Sequence, residues 1–288
     1  MADEVSGTVA VIGASGRSGS ALCRALLAGG HDLRPVVRNP AAWAATGIAA
    51  TPRIADLEDP AALAAALQGA ACVVSCAHAR FAPRILAAAP EAARLVLVGS
   101  TRRFSRWPDA HGDGVRAGER AFLAAGRPGV MLHPTMIYGA TGENNVQRLA
   151  ALLRRLPVAP LPGGGRALVQ PIHQDDVTRC LVSAIRHRWT QPKILVIAGP
   201  EPLPYRDFLR LVAAAAGLRP TPVLAVPAAP LRWLAPLSRL LPGIPRVVAD
   251  EIRRLTEDKA FDTEAMRAVL GVVPIPLREG LRLTFAGA

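Results

Sequence analysis

Residues Gly13-Ala14-Ser15-Gly16-Arg17-Ser18-Gly19 set three glycines at three-residue intervals between an apolar run, Thr8 to Ile12, and a helical stretch, Ser20 to Ala28. In a strand-turn-helix setting each glycine has its own task. Gly13 permits the tight turn, Gly16 lets an anion approach the backbone, and Gly19 lets helix and strand pack closely. The exposed amides at the helix start then favour a phosphate. The alternative is a plain loop, since the chain has 25 glycines; the flanking strand and helix favour the phosphate. Two guanidinium groups fall in the same region, Arg17 inside the turn and Arg38 at the end of Val36-Val37-Arg38-Asn39. A site for an unphosphorylated ribose places Asp or Glu after the second strand, whereas the planar fork of Arg suits a 2′-phosphate. The expected ligand is a dinucleotide, NADP(H) in preference to NAD(H). Two surface arginines in an arginine-rich chain would be the duller explanation.

The elements that must position this turn alternate in type. Strand-like runs cover Thr8 to Ile12, Leu33 to Val37, Ala71 to Ser75 and Leu95 to Val98, and a third strand ends near Asp56. Helical runs cover Ser20 to Ala28, Ala61 to Leu67 and Val115 to Ala125, and Val130 to Tyr138 is extended. Strands this apolar belong in a parallel sheet buried on both faces, linked by right-handed crossovers. Five parallel strands are expected between Thr8 and Ser100, with the three glycines above their C-terminal ends. After Gly139 the pattern predicts helices at Val146 to Leu156, Val177 to His187 and Tyr205 to Ala216, and a strand at Ile194 to Ile197. Prolines then crowd residues 220 to 245, where Leu231 to Leu241 reads as an amphipathic helix, packed over a cleft in preference to lying on a membrane. The expected fold class is α/β, a doubly wound, mostly parallel Rossmann sheet with a smaller, mainly helical C-terminal substrate lobe. Residues 1–139 would form the dinucleotide-binding core, and 140–288 the remaining strands and the lobe, as one continuous unit.

Composition narrows the function classes. Hydrophobic residues make up 51% of the 288 and aromatics 4%, so the core must be built largely of aliphatic side chains. The formal charge of +12 invites a nucleic-acid reading. Against it, the basic residues are almost all arginines, scattered singly or in pairs, without a stripe interleaved with aromatics. No nucleic-acid partner is expected. Cys23, Cys72, Cys76 and Cys180 match no zinc spacing, no metal site is expected, and buried apolar roles suit them. The acidic start Met1-Ala2-Asp3-Glu4 lacks the pattern of a signal segment. No run reaches the roughly 18 apolar residues of a membrane span, so a cytoplasmic setting is the expectation.

These motifs resemble the short-chain dehydrogenase/reductase superfamily, in its extended and atypical branches that include NAD-dependent epimerases and dehydratases. GASGRSG is similar to the family's GxxGxxG, and Asp56-Leu57 resembles its adenine-side acid. Leu95 to Thr101 (LVLVGST) resembles the fifth strand and its terminal active-site hydroxyl. His133 to Gly139 (HPTMIYG) is similar to RPxxxYG, with His for Arg. Gln170 to Val177 (QPIHQDDV) and Asp258 to Gly271 resemble later segments of the same family. The resemblance implies cofactor contacts from Gly13, Ser15, Gly16, Arg17, Ser18, Gly19, Arg38, Asp56, Leu57, Ala77 and Pro134. It implies substrate contacts from Tyr138, Asn144 and Asn145. A small-molecule substrate is implied, a nucleotide sugar among the candidates, and dimers are common in such families.

One departure bears on the chemistry. The family's proton transfer uses a Tyr with a Lys four residues on, the cation lowering the phenol pKa. Here Tyr138 is followed by Gly142 and Tyr205 by Leu209. With Glu119 as anchor, the Tyr position falls on His111 and the Lys position on Val115. The catalytic candidates are then Thr101 and His111, against a strand-end cap and a loop histidine. Asp59 before Pro60 reads as a helix cap, and so does Asp176. Two functions stand: an NADP-dependent oxidoreductase or epimerase-like enzyme with non-standard acid-base residues, or a non-catalytic dinucleotide-binding sensor, assembly factor or subunit.

Overall fold

The computed structural model describes residues 7–139, 145–234 and 249–286. Its strands are β1 (Val9–Ile12), β2 (Leu33–Val37), β3 (Arg53–Ile54), β4 (Cys72–Ser75), β5 (Arg94–Val98), β6 (Gly129–Pro134), β7 (Ile137–Tyr138), β8 (Ala159–Pro162), β9 (Leu168–Val169), β10 (Ile172–His173), β11 (Pro192–Ile197), β12 (Leu203–Pro204) and β13 (Val223–Val226). Its α-helices are α1 (Arg17–Ala28), α2 (Pro40–Ala44), α3 (Pro60–Leu67), α4 (Ala82–Ala88), α5 (Ala110–Ala124), α6 (Asn145–Leu153), α7 (Gln174–Arg186), α8 (Tyr205–Ala215), α9 (Ala228–Leu234), α10 (Ala249–Arg254), α11 (Glu264–Leu270) and α12 (Leu277–Phe285).

Seven strands form one sheet in the order β11-β6-β5-β4-β1-β2-β3, every neighbouring pair parallel. Strand order reverses between β1 and β4, which opens a crevice at their C-terminal ends. The five parallel strands expected before Ser100 are all present. Side chains alternate between two cores, as the period of a strand requires. Val9, Val11, Val74, Val96 and Leu132 pack with α1 and α7 on one face. Ala10, Ile12, Val73, Leu97 and Met131 pack with α3, α4 and α5 on the other. Pairs of small strands, β7 with β10, β9 with β12 and β8 with β13, join α6, α8 and α12 around two lesser clusters. No helix among the described residues is long and apolar enough to cross a membrane.

Local chemistry sets the helix starts. Asn39 and Asp59 each accept two amides ahead of Pro40 and Pro60, caps followed by a proline whose missing N–H costs nothing there. The helix expected from Val115 begins five residues earlier, at Ala110, because the Asp109 carboxylate accepts the Gly112 amide at 2.7 Å. Gly112 and Gly114 lower helix propensity and hide that turn from a pattern reading. They also allow contact: a Cβ on Gly114 would meet the His78 ring, and one on Gly118 would collide with the Ala79 carbonyl. Asp176 is not the cap of α7. His173 Nδ1 accepts the Asp175 amide, while the fully buried Asp176 accepts the Ile275 amide at 2.9 Å and pairs with Arg179. Of the amphipathic stretch Leu231 to Leu241, residues 231–234 end α9 and the rest lies outside the described residues.

Two buried polar groups tie elements together, one within the sheet half and one between β7 and the C-terminal residues. His133 of β6 has no solvent exposure; its Nδ1 accepts the Ser100 amide at 2.9 Å. The ring proton therefore sits on Nε2 and is donated to Glu119 of α5 at 2.7 Å, and Glu119 also meets Arg103 Nε at 2.7 Å. Burial, outweighing the pull of the Glu119 carboxylate, lowers the His133 pKa, so the contact is a hydrogen bond from a neutral imidazole. Tyr138 of β7 is buried, stacks edge-on against His173 at 5.2 Å, and its hydroxyl has no partner among the described residues. That hydroxyl lies where a Cβ on Gly280 of α12 would be.

Two outcomes are expected. Gly280→Ala should destabilise by about 1–3 kcal/mol through overpacking. Tyr138→Phe alone should stabilise by about 1 kcal/mol, since it removes an unsatisfied buried hydroxyl, and should rescue part of the Gly280→Ala loss; urea midpoints of the two single variants and the double variant check this. Because folding lowers the His133 pKa, its contribution is present above the unfolded imidazole pKa of 6.5 and is lost as pH falls below it. The thermal midpoint should drop from pH 7 to pH 5, and less steeply in His133→Gln.

Candidate functional site

The glycine turn lies at the sheet's reversal point. Gly13 leaves β1 with φ +73°, in the left-handed region that glycine adopts without cost, and its amide bonds the Val36 carbonyl at 3.1 Å. A Cβ on Gly19 would strike the Gly13 carbonyl, so α1 can approach β1 this closely only with glycine there. Gly16 is the helix N-cap; no side chain caps α1 and no acid lies in its first turn. The amides at this helix start are therefore turned to solvent over the strand ends, a cradle that fits a pyrophosphate. Ser15 and Gly16 line the turn. The Ser18 hydroxyl instead donates to Gln174 Oε1 at 3.0 Å, tying α1 to α7. Ala77, after β4, closes the turn's other side: a Cβ on Gly13 would lie 3.3 Å from its amide nitrogen.

Arg17 and Arg38 are both exposed, and neither has an acidic partner among the described residues. Asp56 follows β3 and accepts the Glu58 amide through Oδ1 at 2.9 Å, leaving Oδ2 open. Leu57 packs against the α3 and α4 core, and its carbonyl accepts from Arg84. Pro134 ends β6 beside Ile197, and its carbonyl accepts the Thr101 hydroxyl at 3.1 Å. Thr101 is thereby committed to the backbone, and Ser100 caps the short 3₁₀ turn that follows. Tyr138 is buried under α12. Asn145 is the exposed first residue of α6, and Asn144 lies outside the described residues.

His111 stands in the first turn of α5, edge-on to His78 with ring centroids 4.3 Å apart. His78 follows β4 and caps its own 3₁₀ turn, Nδ1 accepting the Arg80 amide at 3.0 Å. Burial first, then the charge of His78, Arg102 and Arg254, lowers the His111 pKa; burial, Arg80 and Arg102 lower that of His78. Both imidazoles are neutral near pH 7. Val115, one turn after His111, is buried in the core. Sequence reasoning missed His78, whose signal was its place directly after Ala77 at a strand end. It also missed Arg102, Asp109 and Arg254, which meet across about 150 residues with no local pattern to announce them. All four thiols are held inert by burial, their pKa values pushed up to about 12. Among the described residues no His/Cys/Asp/Glu cluster is placed to hold a metal ion.

Comparison with known proteins agrees with this geometry. Residues 13–127 match the family described as NAD(P)H-binding. An uncharacterized protein of Mycobacterium tuberculosis, Rv2047c, is 31% identical over 216 residues, 75% of this chain; the chain spans about a quarter (24%) of that curated relative. Among solved structures, MoeE5 in complex with UDP-glucose and NAD has a TM-score of 0.72 at 22% identity, covering 97% of this chain and 98% of that one. The NADPH-dependent quinone oxidoreductase QOR2 of Escherichia coli, complexed with NADPH, has a TM-score of 0.74 at 19% identity, covering 95% and 98%. Residues 13–127 are therefore similar to an NAD(P)H-binding family, and the chain as a whole shares the Rossmann fold of these two dinucleotide-bound structures.

Proposed function

We propose that the protein binds NADP(H) in preference to NAD(H) and acts as an oxidoreductase or epimerase-like enzyme whose acid-base group is an imidazole. One observation carries the cofactor reading: the uncapped start of α1 opens over the β1 end, with Arg17 and Arg38 exposed and free of carboxylates at its mouth. Gly13, Ser15, Gly16 and Gly19 would admit the pyrophosphate, Asp56 and Leu57 the adenine side, and Ala77 and Pro134 the crevice beyond. The bound dinucleotide supplies hydride transfer at its nicotinamide. The chain's part is to orient it, to exclude water and to move a proton at His111, with His78 beside it. In this reading residues 140–288 would add the remaining sheet strand and the lobe that contacts a small substrate, for which a nucleotide sugar is one class, since MoeE5 binds one.

A second reading, a non-catalytic dinucleotide-binding sensor or subunit, has its own support. The Thr101 hydroxyl is spent on the Pro134 carbonyl, and a buried Val115 stands where a cation would activate a phenol.

Titration calorimetry with NADPH and NADH tests the cofactor reading. A charge-assisted contact to the 2′-phosphate is worth roughly a ten- to hundredfold difference in affinity. NADPH should therefore bind at least about tenfold more tightly, and Arg38→Asp should abolish or reverse the preference. Equal affinities in the wild type would sink it.

A further inference from the structure

Positive charge concentrates at a joint away from the glycine turn. Residues 101–109 leave the end of β5 and meet α10 and the stretch behind it. Arg102 directs Nε and Nη2 at Asp109 Oδ2, at 2.8 and 2.7 Å. Arg254 Nη1 approaches the same oxygen at 3.5 Å. The other oxygen of Asp109 is occupied by the Gly112 amide at the start of α5. One carboxylate thus serves two guanidinium groups and a helix cap. Beside them Arg253 lies over Trp107, its Cζ 4.4 Å from the ring centroid. Arg253 Nε and Trp107 Nε1 are buried donors with no acceptor among the described residues. Glu257, nearby, is turned to the Ser105 hydroxyl, the Arg106 amide and the Arg106 guanidinium. Lys259 adds a further cation, its Nζ donating to the Arg254 carbonyl at 2.7 Å.

Asp250 and Glu251 of α10 also act on Arg254, and Glu257 on Lys259, so it is the two buried donors that call for a ligand: a buried N–H without an acceptor is costly unless a ligand supplies one. The joint also borders the imidazole pair, since His111 is two residues past Asp109 and feels the charge of Arg102 and Arg254. We propose that this joint recognises an anionic group of the substrate, a phosphate or a carboxylate, through Arg102 and Arg254 with the Arg253 and Trp107 donors behind them. Asp109 holds both guanidinium groups in place and takes Nε and Nη2 of Arg102, so the anion would meet Arg102 Nη1 and the remaining donors of Arg254. The anion is not the cofactor's 2′-phosphate. The order β5-β4-β1-β2 separates the ends of β5 and β2 by three strand spacings, roughly 14 Å. The inference deepens the enzyme reading above and takes the dinucleotide at the glycine turn as given.

The test uses the full chain saturated with NADPH, so that the glycine turn is filled. The thermal midpoint is followed while sodium pyrophosphate, or in a parallel arm malonate, is added, with sodium chloride at matched ionic strength as control. A dose-dependent rise beyond the salt control is expected in at least one arm, and the arm that responds identifies the anion as phosphate or carboxylate. Arg254→Gln and, separately, Arg102→Gln should move the dose-response to about tenfold higher concentration or more. NADPH affinity should stay within about twofold in both, which also shows that the variants fold. Arg254→Lys, which keeps the charge without the fork, should fall between. No protection beyond salt in the NADPH-saturated wild type overturns the proposal. So does a variant whose baseline midpoint falls while its dose-response is unchanged, because the arginines then only clamp α10 to the core. A wild type that fails to bind NADPH overturns the cofactor reading instead, and the anion titrations are then judged by the same criteria without dinucleotide.

Discussion

The close approach of α1 to β1 sets the terms for everything built above the strand ends. Gly19 lies against the Gly13 carbonyl with no room for a side chain, so the first turn of α1 is pressed onto the strand end. The same approach puts Gly13 into a left-handed turn and brings it against Ala77 of the neighbouring strand end. A helix held this near the sheet points its free amides at the crevice between β1 and β4, where the strand order reverses. The Ser18 hydroxyl then fastens α1 to α7 through Gln174, so the helix is braced from both sides. A larger residue at position 19 would displace the helix and with it the cradle.

Polar groups inside the molecule brace this frame and join later elements to it. His133 reads out two neighbours at once, a backbone amide at the β5 end and a carboxylate on α5. An arginine at this position would bring a permanent charge next to Arg103, and Gly99 leaves space for the imidazole only because it lacks a Cβ. The exchange of Arg for His in the HPTMIYG segment is thus a change in how strand, strand end and helix are tied, with Glu119 as the shared anchor. Tyr138 and Gly280 do the same for α12, by fit in place of hydrogen bonding.

The repeating signals were the ones a sequence displays well. The strands of four to six residues, the glycine spacing and the proline-marked cap at Asp59 are local, and each lies where its chemistry requires; the like cap at Asn39 opens a helix too short to show as a pattern. The start of α5 was hidden because Gly112 and Gly114 argue against a helix locally, and only their contacts with Arg102 and His78 explain them. Asp176 has the composition of a cap, yet its partner is the Ile275 amide, 99 residues on. The pairing of His78 with His111, and of Arg102 with Arg254 through Asp109, is a product of topology. The segments after β4 and β5, α5 and α10 bring together residues that no spacing rule links.

The electrostatics of the strand-end region constrain the chemistry available there. A phenol-based proton donor needs a nearby cation, and one turn after His111 the chain carries the buried, uncharged Val115. An imidazole needs no such activation, being neutral and able to accept a proton near pH 7. Its conjugate acid is another matter, because burial first, then His78, and then Arg102 and Arg254 against the pull of Asp109, oppose a charge on His111. A phosphate or carboxylate seated between those arginines would cancel part of that opposition and raise the proton affinity of the ring. Binding an anion and taking up a proton at His111 would then be coupled, each strengthening the other by the same free energy. Under this coupling the imidazole would become a competent acid only with substrate in place. On this proposal the guanidinium groups at α10 and the histidine pair would act together, apart from Arg17 and Arg38 at the glycine turn.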